Sequence, residues 1–98
     1  YNTDHLAAHQ ICKTASRHCR NVFMFQSNPY ILVQNFTPNF FVDISGVINE
    51  KKKALLCYDK EHNRQGRLFE STILRNEVWG YGNHCKYAEG FIAIKCCI

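Results

Sequence analysis

His18-Cys19-Arg20-Asn21-Val22-Phe23-Met24-Phe25-Gln26 is the stretch where the sequence changes its grammar. Before it, residues 4–18 contain neither Gly nor Pro, and Leu6, Ala7, Ile11, Thr14, Ala15 and His18 recur at helical spacing. Thr3 or Asp4 supplies an N-cap, so residues 4–18 are predicted to form one amphipathic helix. From Val22 onward, short β-branched and aromatic runs take over. Val22–Gln26, Tyr30–Gln34 and Phe40–Ile44 read as strands, punctuated by the turn clusters Ser27-Asn28-Pro29 and Thr37-Pro38-Asn39.

Further along, Ala54–Tyr58 reads as a strand after Lys51-Lys52-Lys53. Asp59 to Gly66 reads as a hairpin loop that returns into Arg67–Leu74, with Val78–Gly82 and Phe91–Cys96 as two more strands. One N-terminal helix packed on a mostly antiparallel, twisted sheet is an α+β domain, predicted to span residues 1–98 as a single unit.

Composition bounds the alternatives. The 98 residues include seven Phe, five Tyr and one Trp, far too many aromatics for an intrinsically disordered chain. Runs such as Val22-Phe23-Met24-Phe25 fall well short of the roughly 18 apolar residues that a membrane helix needs, so no membrane partner is expected. Six cysteines in so short a chain point to a disulfide framework and an oxidising compartment. A first residue Tyr1 without a leader reads as a mature secreted chain. Asn35-Phe36-Thr37 is a glycosylation sequon that agrees with secretion.

The disulfide candidates are Cys12, Cys19, Cys57, Cys85, Cys96 and Cys97. On a helix, Cys12 and Cys19 would stand roughly 10 Å apart, beyond the ~7 Å Cα limit of a bridge. A bridge between the adjacent Cys96 and Cys97 would be strained. The favoured arrangement ties Cys12 or Cys19 to the C-terminal pair, with the connectivity left open.

Chemistry-bearing motifs are sparse. No two cysteines have the two-residue spacing of a zinc knuckle, so neither a metal nor another cofactor is expected. His62, Glu70, Arg67 and His84 have the side chains a ribonuclease uses as base, acid and phosphate clamp, but no spacing links them. Nucleophile signatures such as Gly-x-Ser-x-Gly are absent. The net charge of +4 favours weak, salt-sensitive RNA contact through Lys51, Lys52, Lys53 and Arg67, with Trp79 and Tyr81 as stacking rings. Seven Phe in so small an interior also imply some exposed aromatic surface, suited to a protein partner.

Asn28-Pro29-Tyr30 forms a turn before a strand, Phe40-Phe41-Val42-Asp43-Ile44 a strand, Lys52-Lys53-Ala54-Leu55-Leu56 a third, and Leu68-Phe69-Glu70-Ser71-Thr72 a hairpin return. This succession after a helix resembles the fungal guanyl-specific microbial ribonucleases. More particularly, it resembles their effector relatives, the RNase-like proteins associated with haustoria (RALPH) of powdery mildews. The resemblance covers roughly residues 4–75. It places the family's first catalytic histidine on Tyr30, its general-base glutamate on Phe41, its arginine on Lys53 and its second histidine on Ser71. A Phe accepts no proton, and a Lys lacks the bidentate guanidinium fork. The resemblance therefore implies a pseudo-ribonuclease, not an enzyme. It would be a secreted monomeric virulence or avirulence effector that enters host cells, binds host RNA or a host plant protein, and meets a plant immune receptor. The rival readings are an active secreted ribonuclease or cytotoxin, and a disulfide-rich β-sandwich effector or killer protein unrelated to RNA.

Overall fold

A computed structural model describes residues 3–26, 36–61 and 66–97. The Gly- and Pro-free N-terminal segment forms α1 (Thr3–Ala15), which tightens into a 3₁₀ turn at Ser16–His18. Then come β1 (Val22–Met24) and β2 (Phe40–Asp43), followed by a 3₁₀ turn at Ser45–Val47 that leads into α2 (Ile48–Glu61). The chain closes with α3 (Arg67–Gly82) and β3 (Ala88–Lys95). The fold is α+β, with its described strands in one antiparallel sheet of order β1-β3-β2.

Register decides which side chains share a face. Phe40 pairs with Phe91, Phe41 with Gly90, and Asp43 with Ala88. On the other side of β3, Phe23 pairs with Ala93 and Met24 with Ile92. Cross-strand partners point the same way and neighbours along a strand alternate. Phe41, Gly90 and Ala88 therefore lie on one face, and Phe23, Phe40, Phe91 and Ala93 on the other.

α3 covers the first face. Its Asn76, fully buried at 0% exposure, donates through Nδ2 to the Ala88 carbonyl at 2.9 Å. The Trp79 ring lies 6.3 Å from that of Phe41. α2 packs against α3. Ile44, Ile48 and Ile73 form the buried core at the junction of the two helices with the end of β2, flanked by Leu55, Phe69 and Tyr87. The last turn of α3 closes through Asn83 and Cys85 amides that both donate to the Gly80 carbonyl, with His84 between them at φ 61°.

Several expectations are corrected. Ala54–Tyr58, Arg67–Leu74 and Val78–Gly82 are helical, not strands, and Asp59–Glu61 ends α2 rather than opening a hairpin loop. The reason lies in which residues turn inward. On α2 the buried or half-buried positions are Ile48, Lys51, Lys52, Leu55 and Asp59, spaced by helical steps. Of the apolar run 54–58, Leu55 alone turns in. On α3 the inward stripe is Phe69, Thr72, Ile73, Asn76 and Gly80, so small and polar residues conceal its period. The hairpin that the ribonuclease resemblance placed over 52–72 is thus a pair of helices. The expected strand Tyr30–Gln34 lies outside the described residues.

The N-terminal helix forms as expected but is not the helix that packs on the sheet. α1 is exposed along most of its length, Leu6 and Ile11 included, whereas α3 docks on β3. The small residues Asn76 and Gly80 allow α3 the closer approach. The expected disulfide staple is not present either: all six cysteines carry free thiols, with Cys57 on the exposed side of α2.

Candidate nucleic-acid interface

The face of the sheet turned away from α3 presents one phenylalanine from each strand. Phe23 of β1 leans across the small Ala93 of β3 to bring its ring within 4.9 Å of Phe40 of β2, and lies 6.3 Å from Phe91 of β3. These rings remain partly accessible, Phe23 at 37% exposure, and Phe25 just beyond β1 reaches 70%. Among the described residues α3 is the helix that packs on the sheet, and it lies on the opposite face. Three adjoining strands thus bring three partly accessible rings together as one aromatic patch, with Phe23 tilted 49° to Phe40 and edge-on to Phe91.

A cationic cluster flanks this platform where β1 begins and β3 ends. Lys95 Nζ donates to the carbonyls of Arg17 and, at 3.4 Å, Cys19. Arg20 donates to Cys97 Sγ at 3.3 Å, and Arg17 Nε to His18 Nε2 at 3.2 Å. The Cys97 amide donates to Asn21 Oδ1 at 2.7 Å, which holds the chain end in place. Among the described residues, none of the partners of Arg17, Arg20 and Lys95 is a carboxylate.

The cations and rings expected from the sequence are placed differently. Lys51 is neutralised by Glu89 at 2.7 Å, and Lys52 stands 5.4 Å over the Tyr87 ring. Lys53 and Arg67 are exposed on separate helices. Trp79 is a packing residue, with Phe36 at 6.4 Å, Phe41 at 6.3 Å and the Arg75 guanidinium at 4.9 Å. Tyr81 is 88% exposed, yet two residues along a helix turn it roughly 200° away from Trp79. The structure does not gather these six into one surface. The platform of Phe23, Phe40 and Phe91 was not singled out from the sequence, because strand register, not spacing, brings them together.

The candidate acid–base residues do not converge either. Glu70 sits in the first turn of α3 and His84 follows its last turn, roughly 20 Å apart by helix rise. His62 and Tyr30 lie outside the described residues. Phe41 is on the α3 side of the sheet, Lys53 is on α2, and Ser71 Oγ donates to the Arg67 carbonyl within α3. Among the described residues, no group of three or more His, Cys, Asp or Glu could hold a metal ion, and no helix is long and apolar enough to cross a membrane.

Among the described residues, three ionisable groups depart from their ordinary behaviour. The Ser45 hydroxyl and amide hold the Asp43 carboxyl below the usual range, the amide at 2.9 Å. Burial, reinforced by the neighbouring Asp43 charge, pushes the Cys85 thiol up. Burial lowers Arg75, opposed by the charge of Glu89, while its guanidinium donates to Gln26 Oε1 at 2.6 Å. Arg75 thus acts as a clamp between α3 and the segment after β1. No family model, curated protein or solved structure matches this chain.

Proposed function

We propose that the chain is a secreted, non-catalytic effector that binds single-stranded host RNA on the open aromatic face of its sheet. The observation that carries the reading is the three-ring patch of Phe23, Phe91 and Phe40 beside a cation cluster that, among the described residues, has no carboxylate partner. Stacking on π-faces tolerates any base, and phosphate contacts give salt-sensitive affinity, so the ring patch and cations by themselves bind weakly and without sequence preference. The biological setting, namely secretion, action as a monomer inside host cells and surveillance by a plant immune receptor, comes from the RALPH-type resemblance alone, whose aligned segments 52–56 and 68–72 are helical here. Fluorescence anisotropy of labelled single-stranded RNA at two salt concentrations tests the reading. Saturable binding that weakens with salt and holds steady in time is expected. A signal that decays with time overturns the non-catalytic assignment, and no signal overturns RNA binding.

A second reading rests on α3. Leu74 and Val78, both 62% exposed, and Tyr81 form an apolar stripe at helical spacing on the face away from the sheet. Such a stripe suits a host protein partner. On that reading Leu74→Arg abolishes association with the host partner while leaving RNA binding unchanged; loss of RNA binding in the same variant overturns the assignment.

A further inference from the structure

Between α1 and the edge strand β1 lies an open groove of about 430 Å³. Its size falls in the range of roughly 300–1,000 Å³ that accommodates small ligands and unstacked bases. One wall is the small-residue face of α1, with Ala8 and Cys12 next to His9 and Lys13. The other wall is apolar and aromatic, with Phe23 and Phe25. Two features connect the groove to the platform. Phe23 belongs to both, lining the groove and contacting Phe40 and Phe91. The groove's own cation, Lys13, precedes Arg17 by four residues, about 6 Å of helical rise, so it extends the row that continues through Arg17 to Arg20. Among the described residues, no Asp or Glu lines the groove.

We infer that this groove receives one unstacked base of the bound strand, with the adjacent phosphate held by Lys13. The inference rests on the RNA reading above and deepens it. A strand whose bases stack on Phe40, Phe91 and Phe23 meets the end of the platform at β1. Its next base has no further ring of the sheet to lie on. The groove opens at that point, with apolar walls that match the faces of a base and with His9, Cys12 and Ser16 as polar groups facing its edge. Charge complementarity favours this occupant: among the described lining residues Lys13 is a cation and none is acidic, so a phosphate is attracted where a basic peptide would be repelled. Bound this way, the groove adds the base selectivity that stacking alone lacks.

The protein carries its own probes for the test. Cys12 lines the groove, and Cys57 lies on the exposed side of α2. Under reducing conditions, saturating (U)8 or (A)8 RNA is expected to slow iodoacetamide alkylation of Cys12 by about fivefold or more, because a base that fills the groove covers most of its lining, and to leave Cys57 unchanged. A filled-groove variant, Ala8→Phe, is expected to weaken RNA binding about fivefold or more while the thermal midpoint stays near wild type. It is also expected to level any difference in affinity between (U)8 and (A)8. Wild-type RNA binding with Cys12 unprotected, together with unchanged affinity of Ala8→Phe, overturns the groove and leaves the platform standing. Absence of wild-type binding at low salt overturns both. Protection of Cys12 that persists in Lys13→Gln, with undiminished affinity, overturns the phosphate contact.

Discussion

The carboxylate of Asp59, near the end of α2, accepts a hydrogen bond at 2.8 Å from the amide of Phe69 in the first turn of α3. α3 has no capping side chain of its own, because its N-cap is Gly66 at φ 78°. A residue on the neighbouring helix therefore satisfies one of the donors that a helix start leaves open. The same bond ties the ends of the two helices together, and Asp59 is only 3% exposed. Asp59→Ala is expected to lower stability by about 1–2 kcal/mol, the range of a lost cap, as read from urea unfolding. Asp59→Asn keeps an acceptor and is expected to cost less; equal losses for both would remove the capping role.

Gly80 is where α3 passes closest to the chain that follows it. A Cβ there would meet the backbone of Lys86 at 2.6 Å and the Cys85 carbonyl at 2.7 Å. Although Ala is the better helix former, Gly80→Ala is expected to destabilise by about 1–3 kcal/mol, as overpacking does. A rise in the thermal midpoint would show that the α3–β3 turn is not tightly fitted.

His84 pays for its position in the left-handed region, at φ 61°. Replacing it by Gly, which adopts that conformation without a Cβ penalty, is expected to stabilise by about 1 kcal/mol. RNA binding should be unaffected. A loss of binding in His84→Gly would assign this side chain a functional role in addition to the turn.

Cys85 is held in its neutral form by burial and by the nearby Asp43 charge. A raised thiol means less thiolate at any given pH, so its alkylation should switch on at higher pH than that of an ordinary free cysteine. Asp43→Asn removes the second cause and leaves the first. The Cys85 profile should then move partway down in pH, as mass spectrometry of the alkylated peptides would record. Movement upward contradicts the assigned cause.

Phe91 sits on the central strand, between Phe23 and Phe40 in strand order. Phe91→Ala is expected to weaken single-stranded RNA binding by about 1–3 kcal/mol, the loss of one stacked base, whereas Lys53→Gln changes it little. With Lys13, Arg17, Arg20 and Lys95 each meeting a phosphate, log affinity should fall with log salt at a slope of about −3, and Arg20→Gln should reduce that slope by about 0.7. A slope unchanged in Arg20→Gln places the strand elsewhere.

The N-terminal helix, β1, β2 and β3 were legible because their local signals agree with their final environment. Residues 4–18 lack helix breakers, and Val22–Met24, Phe40–Asp43 and Phe91–Lys95 are rich in β-branched and aromatic residues. α2 and α3 were misread for one reason. Leu56, Tyr58, Leu74, Val78 and Tyr81 face outward, while Asp59, Thr72, Asn76 and Gly80 face the interior. An apolar run reads as a strand when its true inward partners are polar, because the period that identifies a helix is carried by the residues that are buried.

By itself, the sequence determined an aromatic-rich, cationic α+β chain with a helix leading into strands and no recognisable catalytic motif. Tertiary structure alone decided which helix covers the sheet, which face stays open and which rings meet there. Phe23 and Phe40 lie 17 positions apart and touch only because β3 lies between β1 and β2, so that each strand takes its register from it. Registers of this kind arise from long-range backbone hydrogen bonds, and a one-residue slip would turn every ring to the other face.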